Sequence, residues 1–219
     1  RVSPNYTNIS IMSAFLMAWC GERFGEDEWR ETAEDLAQRI YDNFRVHNTF
    51  NEYNSPTYYG VDLYALGLWR EYPVYPRMRD MAVEMEAAFW RDFAGFYHAG
   101  MKNMCGPFDR SYGMDMREYT ALAGFWIAMH VPPEYAPIPH PATNPPKAFE
   151  YCQMPAYALV RGEIDEEVRA SLMTFQGPRE MRRPIGSKGD RIATAWLTHD
   201  VMLGGGSTPR GKPAIDQAH

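Results

Sequence analysis

The chain has 219 residues, 45% of them hydrophobic and 23% charged, a balance that excludes a disordered chain and fits a folded protein with a core of its own. The net charge of -6 argues against nucleic acid as the main partner, because a phosphate backbone calls for a basic face. No apolar run is long enough to span a bilayer, and Cys20, Cys105 and Cys152 lie too far apart for a disulfide framework or a zinc-type spacing. Neither a membrane partner nor a metal or cofactor is expected.

The chain opens at Arg1 with no initiator Met, and its last residues, 216–219, follow a Gly-rich stretch. Both ends suggest a piece of a longer protein, with any signal peptide upstream. Asn5-Tyr6-Thr7 and Asn8-Ile9-Ser10 match the glycosylation sequon where a first helix begins. Residues 8–20 carry no charge, so that helix is expected to be buried on most sides. Residues 26–44 follow with Trp29, Ala33, Leu36, Ala37, Ile40 and Phe44 at helical spacing behind an acidic first turn. Residues 60–70 are again apolar, and residues 76–96 again amphipathic, with Met78, Met81, Met85, Ala88, Phe89 and Phe96 in one stripe behind Pro76. Residues 117–130 make a third apolar helix.

Inner and outer helices therefore alternate, and the alternation has a period. Tyr6, Tyr59 and Tyr112 stand 53 residues apart, and Tyr59-Gly60-Val61-Asp62 matches Tyr112-Gly113-Met114-Asp115. A unit of this size with one inner and one outer helix is a stackable hairpin, and hairpins closed into a ring make an (α/α) toroid. Residues 131–147 are too rich in proline for helix or central strand. Residues 151–160 fit a short apolar helix or strand. Residues 171–175, 180–184, 191–198 and 201–203 read as strands parted by turns such as Gly186-Ser187-Lys188-Gly189-Asp190. The expected fold class is α+β, mainly α: an incomplete toroid over 1–130, a Pro-rich linker over 131–150, and the start of an antiparallel β domain over 151–219.

By the repeat, the two loops that lead from an outer to an inner helix open on the same end of the ring. The first holds Asn51, Glu52, Asn54, Tyr58 and Tyr59, and the second holds His98, Asp109, Arg110, Tyr112 and Asp115. Each residue also has a structural reading. Asn54 shapes a turn or caps a helix. Arg110 forms a salt bridge with Asp109 or Asp115, or else clamps a substrate carboxylate. Asp62 and Asp115, at equal repeat positions, share a capping duty. His98 and His47 interact with helix C-termini. In the functional reading Tyr59, Tyr112, His98 and Glu52 are catalytic candidates, and Asn51, Asn54, Tyr58, Arg110, Asp109 and Asp115 bind substrate.

Asn51 to Gly60, Asp109 to Asp115 and Ala193 to Gly205, set on hairpins followed by a Pro-rich passage and strands, resemble in architecture and residue types the polysaccharide lyases of the toroid-plus-sandwich kind. The resemblance implies that Asn or Arg neutralises a uronate carboxylate, that Tyr or His removes the C5 proton, and that Tyr protonates the leaving oxygen. It implies an acidic poly- or oligosaccharide substrate, a secreted or periplasmic location, and completion of the ring by the rest of a longer chain or by another subunit. The alternatives are a glycoside hydrolase pairing Glu52 with Asp109 or Asp115, a non-catalytic carbohydrate-binding or scaffold protein, and a terpenoid isomerase or dehydratase.

Overall fold

The computed structural model describes residues 2–187 and 191–207. Within them the chain is α+β and mainly helical, with a three-stranded antiparallel sheet after the helices. Helices α1 (Thr7–Phe24) and α2 (Asp27–Arg45) form the first hairpin. Gly25 ends α1 in the left-handed region (φ 73°), which a residue without Cβ adopts freely, and so the chain reverses at once. Helices α3 (Tyr58–Glu71) and α4 (Pro76–Phe96) form the second hairpin, with Pro76 at the first turn of α4. The third apolar segment yields only α5 (Leu122–Ala128). Residues 117–121 turn instead, because the backbone and side-chain oxygens of Asp115 capture the N–H groups of Arg117, Glu118 and Tyr119.

The apolar helices pack in sequence order, α1 on α3 and α3 on α5, while α2 packs on α4 outside them. Trp69 of α3 donates its indole N–H to the carbonyl of Ile11 in α1 (3.1 Å), and Trp126 of α5 does the same to Gly60 in α3 (2.9 Å). A Cβ on Gly60 would overlap the backbone and side chain of Leu122, so glycine sets how closely α3 and α5 approach. The α4 stripe is buried as its spacing predicts, apart from half-buried Ala88. Trp29 departs from the α2 stripe and is exposed. It lies at the hairpin tip, where the last turn of α1 is itself exposed and covers nothing.

The Pro-rich stretch runs over α5 in short 3-10 turns. Tyr151 meets the ring of Phe125 and Tyr157 stacks on Trp126. Of the two expectations for residues 151–160, the helix is the one realised, as α6 (Met154–Ala158) after a 3-10 turn. The strand expected over 171–175 is corrected. Glu166–Met173 is a helix, α7, with two acidic residues in its first turn and with Val168 and Leu172, four apart, buried together.

A two-residue ribbon, β1 (Tyr97–His98) and β2 (Asn103–Met104), follows α4. The later strands β3 (Arg179–Ile185), β4 (Arg191–Leu197) and β5 (Met202–Ser207) run antiparallel in the order β3-β4-β5. The turn expected over 186–190 lies in part outside the described residues, as do residues 208–219 of the expected β domain. Alternation puts Ala193, Ala195 and Leu197 on the inner face, where they pack with Tyr53, Phe96 and Cys105 of the helical body. Arg179 fastens the sheet to the end of α4 by donating to the carbonyls of Ala94, Gly95 and Tyr97.

Candidate functional site

The two loops, 46–57 and 97–121, meet at the N-terminal ends of α1, α3 and α5, the shared end that the repeat predicts. Asn54 joins them by donating its amide to the carbonyls of Cys105 (2.7 Å) and Pro107 (2.9 Å). Its backbone is left-handed (φ 55°), which Asn tolerates better than most residues. The N–H of Asp109 reaches the carbonyl of Tyr53, and the Thr57 hydroxyl that of Tyr112. Asn54 therefore binds protein, a correction to its reading as a substrate ligand.

Behind this seam lies a buried charge pair. The carboxylate of Glu52 accepts from the backbone N–H of Asn8 (2.9 Å), from the Asn8 side-chain Nδ2 at both of its oxygens (3.0 and 3.1 Å), and from Nη2 of Arg110 (3.3 Å). Arg110 thus pairs with Glu52 and with neither Asp109 nor Asp115. Asp109 binds Arg191 of β4, and Asp115 binds Arg117 and Asn103. Burial raises the Glu52 carboxyl above the usual range, against the lowering effects of the Asn8 N–H and Arg110. Arg117 pushes Asp115 down to about 2. The other Arg110 contacts are aromatic, and among the described residues its buried Nε has no hydrogen-bond partner. Its guanidinium carbon lies 5.8 Å from the Tyr6 ring centre and 5.2 Å from that of Tyr58. Tyr58 meets Tyr112 at 6.2 Å, edge to face. Tyr6 and Tyr112 are 36% and 38% exposed, so the buried cation sits behind a rim of accessible phenols.

The tyrosines that gather are therefore Tyr6, Tyr58 and Tyr112, one residue off the repeat in α3. Tyr59 turns the other way, into the core against Phe89, Phe93 and Tyr53. Buried there, away from the rim, its phenol is also held well above the ordinary value by burial, a correction to its reading as a catalytic residue. His98 is also corrected. It is buried, stacked 4.0 Å from Phe175, with Nε2 on the Thr198 carbonyl (2.7 Å) and Nδ1 accepting from the Met101 N–H (3.1 Å). Both nitrogens are spent on structure. Asp62 and Asp115 share no duty. Asp62 is fully buried in α3 with no hydrogen-bond partner among the described residues, and burial, then Glu52, raises its carboxyl well above the normal range. Asn51 is used in tying the loop to Asn5 and Ser187.

Asn8, which anchors Glu52, was missed as a site residue. Its only sequence signal was the sequon, and its buried amide, fully engaged with Glu52, leaves no acceptor for a glycan there. Among the described residues no group of three or more His, Cys, Asp or Glu side chains is arranged to hold a metal, and no helix is long and apolar enough to cross a membrane.

A family model described as Domain of unknown function (DUF8769) matches residues 1–161. The chain belongs to this family. The DUF8769 match spans α1 to α6, including both rim loops, and stops before α7 and the β3-β4-β5 sheet. No curated protein and no solved structure matches the chain.

Proposed function

We propose that this chain binds an acidic, uronate-containing polysaccharide at the Tyr6–Tyr58–Tyr112 rim and cleaves it by β-elimination, its hairpins forming an arc of an (α/α) toroid. The observation that carries the reading is Arg110, a buried guanidinium with an unpartnered Nε between two tyrosine rings at the loop end of the inner helices. The negative charge of a carboxylate seated on that guanidinium is offset, and the proton on the adjacent carbon becomes more acidic. Removal of that proton forms the carbon–carbon double bond as the bond to the glycosidic oxygen breaks, and the leaving oxygen takes up a proton. Tyr112 is the assigned proton carrier, because its phenol is accessible beside Tyr58, whose own phenol burial makes a weaker acid. Glu52 and Asn8 hold Arg110 in place.

Hydrolysis is the weaker reading, since Asp115 and Asp109 are committed to Arg117 and Arg191 and Glu52 is buried behind the tyrosine rim. Incubation with a panel of uronate polysaccharides tests the class of reaction. Elimination gives ultraviolet absorbance from unsaturated uronide ends. New reducing ends without that absorbance mean hydrolysis, and binding with neither signal means a carbohydrate-binding protein.

A further inference from the structure

The row of inner helices is closed at one end and open at the other. Helix α3 is flanked by α1 and α5, and no residue of α3 before its last, Glu71, is exposed. The far side of α5 is covered by the Pro-rich wrap, where Gly124 lies against Pro137 and Phe125 against Tyr151. Helix α1 has α3 on one side only. Its hairpin partner α2 and α3 together cover the inward side, where Ile11, Ala14 and Ala18 are buried and Gly21 lies against Arg30 of α2. Ile9, Met12, Leu16 and Trp19, at the same helical spacing, form a second apolar face, on which Ile9 is 45%, Leu16 60% and Trp19 46% exposed. No charged residue occurs between Thr7 and Gly21. A helix apolar on both faces is one that packs on both faces.

The repeat says what belongs there. Leu16 stands 53 residues before Trp69, and Trp69 is fully buried against the preceding inner helix, α1, where its indole finds the Ile11 carbonyl. Trp126 of α5 makes the same backward contact to α3. Trp19 is the tryptophan of α1, and among the described residues it has no helix to reach. The missing neighbour is therefore another apolar inner helix.

We propose that a second copy of this chain supplies it, with the two α1 faces meeting about a two-fold axis. A face without charge is complementary to itself, as a two-fold contact requires, and the partner's α1 is a helix of the inner type. One face of an 18-residue helix, about 27 Å long, gives a contact at the low end of interface sizes, so the dimer is concentration dependent. The inference rests on the packing of the row and is independent of the proposed activity.

Sedimentation velocity on the 219-residue chain over a concentration series tests it. The expected result is a monomer at low micromolar concentration that shifts to a dimer at high concentration. Leu16→Glu should hold the chain monomeric throughout with an unchanged melting temperature, since the side chain is exposed. Val83→Glu, a charge added at another exposed apolar position, should leave the dimer intact. A wild-type chain that stays monomeric assigns the face to another occupant, such as a further helix of a longer chain, and overturns the proposal. So does a dimer that survives Leu16→Glu, or one that Val83→Glu weakens equally.

Discussion

Two residues, Glu52 and Arg110, show how composition turns into a site. Each alone is a charge that the interior rejects; paired, the Glu52 carboxylate is satisfied by Asn8 and Arg110, while Arg110 keeps one Nε unpartnered among the described residues. Arg110→Met leaves the Glu52 carboxylate buried and unpaired. It should cost about 3–5 kcal/mol of stability in urea titration. A cost within experimental error would mean that the pair does not hold the rim. His130 offers a pH test. Burial, then Arg161, Arg169 and Arg70, lowers its pKa to about 4 from 6.5. Between these values the unfolded chain takes up a proton that the folded chain refuses. Stability should therefore fall by up to about 3 kcal/mol as pH drops from 6.5 to 4, and level off below. His130→Gln should flatten that portion of the wild-type curve, read as the difference between the two proteins. Sequence named Glu52, Tyr58, Arg110 and Tyr112, because polar and aromatic residues crowd the loops. It offers no sign of Asn8 beyond the sequon, and of the two rim candidates Tyr58 and Tyr59 it puts Tyr59 in the catalytic role. Both errors have one cause: facing is decided by which neighbours are already packed, and Phe89 and Phe93 claim Tyr59.

Among the elements, those with a strong charge pattern were legible. The α4 boundaries match the expected range, and α1, α2 and α3 differ from theirs by a few residues. The YGxD match was misleading. Gly60 sits inside α3 to admit Leu122, whereas Gly113 makes a left-handed turn (φ 72°) nine residues before α5 begins. The same letters serve different purposes, so the repeat belongs to the helices more than to the loops. The last three residues of α7 fall in the stretch 171–175 that reads as a strand, because a helix of eight residues carries too little periodicity to outweigh its surroundings. The close approach of α3 and α5 yields a prediction at this scale. Gly60→Ala must push the two helices apart and should cost about 1–3 kcal/mol in melting or denaturant titration. Gly25→Ala meets open space and should cost only the left-handed backbone penalty of about 1 kcal/mol. Equal costs at both positions would argue against the tight α3–α5 contact.

In the whole molecule, an inner row of helices, an outer layer and a three-stranded sheet converge on one seam. The sheet reaches that seam through Arg191, which joins Asp109 to the carbonyl of Asn51, and through Arg183, which binds Asp92 beside the Tyr53 hydroxyl. None of these links was legible in the sequence, because each spans far more chain than a local pattern can report. The helical pattern did foretell that both loops would share an end, and the open side of α1 follows from the same repeat. The central proposal is the rim as a site for acidic sugar. The most direct measurement is the rate at which unsaturated uronide absorbance appears when wild type and Tyr112→Phe are given the same uronate polysaccharide. The expected result is steady product from wild type and loss of nearly all of it in Tyr112→Phe at an unchanged melting temperature. Full activity in Tyr112→Phe, or no product from wild type on any uronate polysaccharide, would contradict it.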